Sequence, residues 1–270
     1  MVDDPSKQTI YIATATNNKY AEHLAVMLNS LLENKASKNP IKIYVIGSDI
    51  SEQNQSLLAK TVGKFKAKIR FKPIDPTLYE DFMKLVSRAG AQKHLTKETY
   101  YRIAIPDLFK EKVHKVIYLD SDMIVKEDIT QLWNLNIDQY FLGAIEDSFV
   151  KDSRNKVLDL PRKSKYFNAG VLLINLKKWR EERVKNKIID FIKNNSSKIK
   201  FCSQDPLNAI FHDKWLPIDL KWNFQTYHLT YPDLKNINPA IIHYTGRKKP
   251  WKTEHPLKDE YFKYRKNIFN

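Results

Sequence analysis

The chain has 270 residues, of which 42% are hydrophobic, so it can bury a substantial core and is not expected to be disordered. Its 46 lysine and arginine residues outnumber 31 aspartate and glutamate residues, which gives a net charge of +15. No apolar run approaches the roughly 18 to 20 residues that span a bilayer, and the one cysteine, Cys202, excludes an intrachain disulfide.

The first part of the chain predicts strands and helices that alternate. Residues 9–16 are rich in β-forming side chains, and residues 21–32 place leucines on one helical face. A strand over 41–46, a helix over 51–62 and a strand over 67–71 follow. This β-α-β-α-β order predicts a parallel sheet with right-handed crossovers.

The rest of the chain continues the α/β pattern less regularly. We predict helices over 99–108, 179–192 and 204–211, and strands over 115–119, 141–145, 167–176 and 240–243. No Gly/Ser-rich linker interrupts the sequence, so we predict a single domain over 1–254 and a basic, aromatic tail over 255–270. A packed helix is favoured for the tail, and a segment that rests on a membrane surface is the alternative.

The strand over 115–119 runs directly into Asp120, Ser121 and Asp122. A buried strand delivers its last residues to the sheet edge where open α/β sheets bind ligands. Two carboxylates there suit Mg²⁺ or Mn²⁺ bridging to phosphate oxygens, and so predict a nucleotide diphosphate site. An aspartate-rich turn without a ligand is the alternative, because aspartate favours turns.

Several further segments match the pattern of one enzyme family. They are Ala15–Tyr20, Thr99–Arg102, Leu119–Asp122, Phe167–Asn175, Ser203–Asp205 and His243–Trp251. In this order they resemble the family 8 glycosyltransferases, close to bacterial lipopolysaccharide galactosyl- and glucosyltransferases. The resemblance implies an α/β fold of the GT-A type, which is Rossmann-like with a mostly parallel central sheet and flanking helices. It also implies retaining, metal-dependent chemistry.

The resemblance implies that Asp120, Asp122 and His243 bind the metal. An imidazole in such a site favours Mn²⁺ over Mg²⁺ and leaves positions open for two phosphate oxygens. Gly246 would let backbone N–H groups approach a phosphate, and Lys249 would neutralise charge on the departing UDP. A histidine that only forms a hydrogen bond and a solvated lysine are the alternatives.

The uridine of UDP is expected at the end of the first strand. Ala15 and Thr16 would offer backbone groups to uracil, Tyr20 would stack on it, and Ser121 would contact the nucleotide. The family usually has a carboxylate where this chain has Asn17, which can bind uridine only without charge. A plain strand-to-helix turn is the alternative for Asn17.

The transferred sugar is expected at four polar residues. By resemblance, Arg102 reaches a sugar hydroxyl or the diphosphate, and Asp147 and Asn168 contact the sugar. Gln204 would lie opposite the leaving group. Because a neutral amide is a poor nucleophile and Asp205 points elsewhere on the same helix, we predict a front-face reaction without a covalent intermediate.

The predicted function is retaining transfer of glucose or galactose from a UDP-sugar to a hydroxyl of a glycan acceptor that is lipid-linked, a polysaccharide or a glycoprotein. Trp222, Phe224 and Tyr227 could receive the acceptor, although core positions are favoured for them. We predict a cytoplasmic enzyme, with peripheral contact to the inner face of the membrane as an extension. The polar N-terminus and the lack of a disulfide support this location.

Two other functions compete with this one. A sugar-phosphate nucleotidyltransferase would need a glycine-rich loop after the first strand, and Thr14–Lys19 contains no glycine. A catalytically impaired, basic GT-A-fold protein that binds an anionic polymer is the alternative. The basic excess itself is best explained as a solvated lysine-rich surface, and no nucleic-acid-binding module supports a nucleic-acid partner.

Overall fold

The computed structural model describes residues 8–88, 96–150, 152–234 and 236–269. The polar N-terminus that supports the predicted cytoplasmic location, residues 1–7, lies outside this part. No helix in these ranges is both long enough and apolar enough to cross a membrane.

The structure alternates strands and helices, as the sequence predicts. The strands are β1 (Ile10–Ala15), β2 (Ile41–Gly47), β3 (Lys68–Pro73), β4 (Lys115–Leu119), β5 (Met123–Val125), β6 (Leu142–Glu146), β7 (Phe167–Asn175), β8 (Trp215–Pro217), β9 (Phe224–Gln225) and β10 (Ile241–His243). The helices are α1 (Ala21–Glu33), α2 (Glu52–Gly63), α3 (Thr77–Arg88), α4 (Ile105–Leu108), α5 (Thr130–Trp133), α6 (Asp152–Val157), α7 (Leu176–Glu181), α8 (Val184–Asn194), α9 (Gln204–Phe211) and α10 (Lys258–Phe269).

The strands form a seven-stranded sheet of order β3-β2-β1-β4-β7-β6-β8 and a three-stranded sheet of order β5-β10-β9. β1 pairs with β2 in parallel, with Ile10 opposite Ile41. β6 runs parallel to β8 but antiparallel to β7. A sheet with flanking helices confirms the predicted fold class.

Contacts divide the chain into two compact units. The first consists of the described parts of Met1–Lys72, Leu119–Leu135 and Asp219–Asn270, and the second of Pro73–Tyr118 and Asn136–Ile218. The predicted division into a domain over 1–254 and a tail over 255–270 stays a prediction.

The core of the first unit includes residues from the C-terminal helix. Tyr261 and Tyr264 of α10 are almost fully buried and belong to one cluster with Val26, Ile124 and Tyr244. Their spacing of three residues places both rings on one face of the helix, which therefore packs into the unit.

Two predicted helices are broken in the structure. The helix over 99–108 is a 3₁₀ segment, Lys97–Ala104, followed by α4. Pro106 explains the break, because it has no N–H to donate within a continuous α-helix. The helix over 179–192 divides into α7 and α8 at Arg183, whose φ of 48° is left-handed. Sequence periodicity missed this break because both helices bury their apolar side chains.

Candidate functional site

The three expected metal ligands lie together in the first unit. β4 is buried from Val116 to Leu119 and ends immediately before Asp120. β5 then pairs antiparallel with β10, which sets His243 opposite Met123, and the Tyr244 N–H donates to the Asp122 carbonyl at 3.0 Å. Strand pairing therefore brings His243 beside the two aspartates, although they are more than a hundred residues apart in the chain.

The geometry of this triad fits a divalent cation. One ligand atom from each of Asp120, Asp122 and His243 lies within 4.8 Å of the other two. The His243 Nε2 is 3.3 Å from the Asp122 Oδ1 and 3.9 Å from the Asp120 Oδ2. Two carboxylates and one imidazole are a ligand set for a borderline or hard divalent metal, with the remaining positions left for the substrate.

Lys249 belongs to the same cluster. Its buried ammonium donates to the Asp122 Oδ2 at 2.5 Å and to the Tyr244 carbonyl. Burial alone would raise the pKa of Asp122, but the neighbouring Lys249 ammonium and His243 ring lower that pKa and hold it well below its usual range. Asp122 is therefore ionised near neutral pH and available as a ligand.

The loop between His243 and Lys249 turns at Gly246, whose φ is +78°. This left-handed conformation favours glycine, because an added Cβ crowds the adjacent backbone. No other atom among the described residues lies within 4 Å of that Cβ position. The glycine therefore serves the backbone turn rather than close packing.

The expected uridine residues lie at the end of β1. The Thr16 N–H donates to Ile46 of β2, so its backbone donor is already used, and the Ser121 hydroxyl donates to the Ala15 carbonyl at 2.7 Å. The Asn17 Oδ1 accepts the Tyr20 N–H at 3.2 Å. Asn17 thus stabilises the strand-to-helix turn, and its contact with uridine stays a prediction.

Tyr20 is half-buried in an aromatic cluster. Its ring contacts Trp251 and His23 edge-on, and His23 stacks on Trp251 with ring centroids 3.7 Å apart. Burial raises the pKa of Tyr20, and the charges of Lys249 and Asp122 also act on this group. Tyr20 therefore lies near the charged cluster of its own unit, and its stacking on uracil stays a prediction.

The four residues expected at the sugar are brought together in the second unit. The Asp147 Oδ2 accepts hydrogen bonds from the amides of Asn168 and Gln204, both at 3.1 Å. The Gln204 Oε1 accepts the Ala169 N–H at 3.0 Å, and Arg102 donates to the Ala169 carbonyl. The backbone of Ala169, in β7, thus links Gln204 to Arg102, and the carboxylate of Asp147 links Gln204 to Asn168.

Asp205 follows Gln204 in the chain, but its side chain is fully buried and surrounded by hydrogen-bond donors of the protein. Its carboxylate accepts from two nitrogens of Arg154, from the Tyr166 hydroxyl, and from the backbone N–H groups of Lys200 and Phe201. These five hydrogen bonds occupy both oxygens. Asp205 therefore holds α9 in place and has no lone pair directed at a ligand.

Comparison with known proteins identifies the family. The sequence matches the model of "Glycosyl transferase family 8" over residues 11–255. The chain belongs to glycosyltransferase family 8. This confirms the resemblance inferred from the sequence motifs.

Individual proteins and a solved structure are also similar to this chain. General stress protein A of Bacillus subtilis is 36% identical, with 95% of this chain and 93% of that protein covered. A lipopolysaccharide 1,2-glucosyltransferase of Escherichia coli is 27% identical, with 91% and 74% covered. The solved structure of the galactosyltransferase LgtC with donor and acceptor sugar analogues matches with a TM-score of 0.85, 25% identity and 97% of both chains covered.

Next to the expected metal ligands of this family 8 glycosyltransferase lies one residue that the sequence did not indicate. The Asn223 Oδ1 lies 2.9 Å from the His243 Nδ1, and Asn223 is fully buried. The one available signal was a polar residue between the apolar rings of Trp222 and Phe224. Both rings are buried, so they occupy core positions, as the sequence favours.

Proposed function

We propose that this family 8 glycosyltransferase moves glucose or galactose from a UDP-sugar to a hydroxyl of a glycan acceptor, with retention of configuration and with the assistance of Mn²⁺. The observation that carries the proposal is the convergence of Asp120, Asp122 and His243 within 4.8 Å, with Lys249 beside them. A cation held there would neutralise charge on the departing diphosphate. The reactions of similar proteins, a galactosyltransferase and a glucosyltransferase, support a hexose donor.

The chain's own groups take separate parts of this reaction. Lys249 stabilises the negative charge that grows on the β-phosphate as the bond to the sugar breaks. Ala15, Thr16, Asn17, Tyr20 and Ser121 bind the uridine end, and Gly246 shapes the loop that carries Lys249. Asp147, Asn168 and Arg102 orient the hexose through its hydroxyls.

We also propose a front-face course for the transfer. The bond from the anomeric carbon to the diphosphate oxygen breaks, the acceptor oxygen bonds to the same face, and the acceptor's proton passes to a β-phosphate oxygen. Gln204 supports the sugar cation through its amide dipole. The five hydrogen bonds of Asp205 argue against Asp205 as a nucleophile. The similar enzyme LgtC also has a glutamine in its active site, which is replaced by glutamate in the solved structure of an active-site mutant.

The test of the donor and the metal is UDP release from UDP-glucose and from UDP-galactose, with Mn²⁺ and with EDTA. We expect release only with the metal and with preference for one sugar. Asp120→Asn should abolish it, and Asp190→Asn, an exposed change on α8, should leave it unchanged. Equal release in EDTA would contradict the proposal.

The test of the front-face course is rapid quenching of the reaction followed by mass spectrometry of the protein. We expect no glycosyl adduct at any time point. An adduct on Gln204 or Asp205 would contradict the mechanism while leaving the hexosyltransferase function intact.

Cytoplasmic location and contact with the inner membrane face belong to the same proposal. Sedimentation of the protein with anionic vesicles tests the membrane contact.

A further inference from the structure

His243 is held on both sides of its imidazole ring. On one side its Nε2 faces the two carboxylates, 3.3 Å from Asp122. On the other side its Nδ1 lies 2.9 Å from the Oδ1 of Asn223, in an environment where both residues are buried. The orientation of the ring is therefore determined by two separate contacts.

The backbone fixes Asn223 at this position. It ends the 3₁₀ segment Leu220–Asn223 and immediately precedes β9, which pairs in parallel with β10 so that His243 lies opposite Gln225. The Ala240 N–H also donates to the Lys221 carbonyl at 2.9 Å, just before β10 begins. These main-chain hydrogen bonds hold Asn223 beside His243 independently of any ligand.

The contact decides which ring nitrogen carries the proton. A neutral imidazole has one N–H donor and one lone pair, and an amide oxygen only accepts. With the amide oxygen facing Nδ1, the proton sits on Nδ1 and the lone pair on Nε2, towards Asp120 and Asp122. A metal-binding imidazole needs a lone pair on the nitrogen that faces the metal.

We propose that Asn223 is a positioning residue that holds His243 as the Nδ1–H tautomer and so prepares Nε2 to bind a divalent cation. The inference rests on the proposed metal-dependent function.

The matched variants are Asn223→Leu, which keeps the approximate size but removes the acceptor, and Asn223→Asp, which keeps an acceptor. Asn29→Leu is the control, since Asn29 is equally buried in the same unit and bonds to the Tyr264 carbonyl instead. Two quantities are measured: the Mn²⁺ affinity in the presence of UDP, by electron paramagnetic resonance of free Mn²⁺, and the ¹⁵N shifts of the His243 ring.

In the wild type we expect the Nδ1–H tautomer without metal. Asn223→Leu should weaken Mn²⁺ binding by about 10- to 100-fold, the usual loss for such a partner, and give mixed tautomers. Asn223→Asp and Asn29→Leu should bind Mn²⁺ as tightly as the wild type. If Asn223→Leu does not fold, the tautomer of the wild-type His243 ring still tests the inference.

Two results would overturn the inference: an Nε2–H tautomer in the wild type, or wild-type Mn²⁺ affinity in folded Asn223→Leu. Loss of binding in Asn223→Asp equal to that in Asn223→Leu would also contradict it, because that pattern requires an amide N–H donating to Nδ1. A wild type that shows the Nδ1–H tautomer but binds no Mn²⁺ would instead refute the metal-dependent function. The two failures are therefore distinguishable.

Discussion

Asp205 offers the sharpest test of whether α9 carries a nucleophile. Replacing it by asparagine keeps the size of the side chain but removes the charge and puts an N–H₂ group where the oxygens accept five hydrogen bonds. Arg154, whose side chain is only 11% exposed, loses its counter-ion. Breaking a buried ion pair typically costs about 3 to 5 kcal/mol.

We expect the lower end of that range, about 3 kcal/mol, because the guanidinium of Arg154 keeps some contact with solvent and also donates to the Lys198 carbonyl. For a chain of this size, such a loss lowers the melting temperature by roughly 6 to 12 °C. Calorimetry measures it, and Asp190→Asn should change stability by less than about 0.5 kcal/mol.

The kcat of the same variant shows whether Asp205 acts on stability alone or also on catalysis. At a temperature where Asp205→Asn is folded, we expect its kcat for UDP release to stay within about tenfold of the wild type, since the residue is not assigned to the reaction. Wild-type stability with a loss of about 10⁴-fold or more in kcat would refute this reasoning and point to a covalent role.

Two further predictions concern the loop and a buried histidine. Gly246→Ala should lose about 1 to 2 kcal/mol in urea unfolding through its left-handed backbone alone, and an unchanged midpoint would contradict the assigned conformation. Burial first, and then the neighbouring His243, lowers the pKa of His228 to about 4. The folded protein therefore favours the neutral form of His228. The contribution of this histidine to the free energy of unfolding is fully present above about pH 6.5 and is lost as the pH drops to about 4, by on the order of 3 kcal/mol. His228→Asn should flatten this dependence of the unfolding free energy on pH, and an equally steep curve would contradict it.

The sequence predicts those parts of the fold that have a strong local pattern. β-forming side chains located β1, apolar runs located β2, β4 and β7, and the strand end placed Asp120 and Asp122 at a sheet edge. β5 was missed because three residues carry no periodicity. The position of His243 beside the aspartates depends on the pairing of β5 with β10, so the sequence could suggest that site only through the family motif.

Tertiary contacts explain what the sequence could not show. Two of the four partner residues of Asp205, Arg154 and Tyr166, are distant from it in the chain, and nothing near Gln204 in the sequence indicates them. Asn223 lies in an aromatic stretch whose core character hides the contact with His243. The left-handed Arg183 interrupts an amphipathic pattern that otherwise continues. Each of these features depends on residues that are distant in the chain or on one backbone angle.

The most direct test of the central claim is calorimetric titration of UDP into the protein with Mn²⁺ and with EDTA. It needs neither the correct sugar nor an acceptor. The account predicts that UDP binds at least about tenfold more tightly with Mn²⁺, and that Asp120→Asn removes this difference. UDP binding that is equal in EDTA, or no UDP binding under either condition, would contradict a metal-dependent nucleotide site at Asp120, Asp122 and His243.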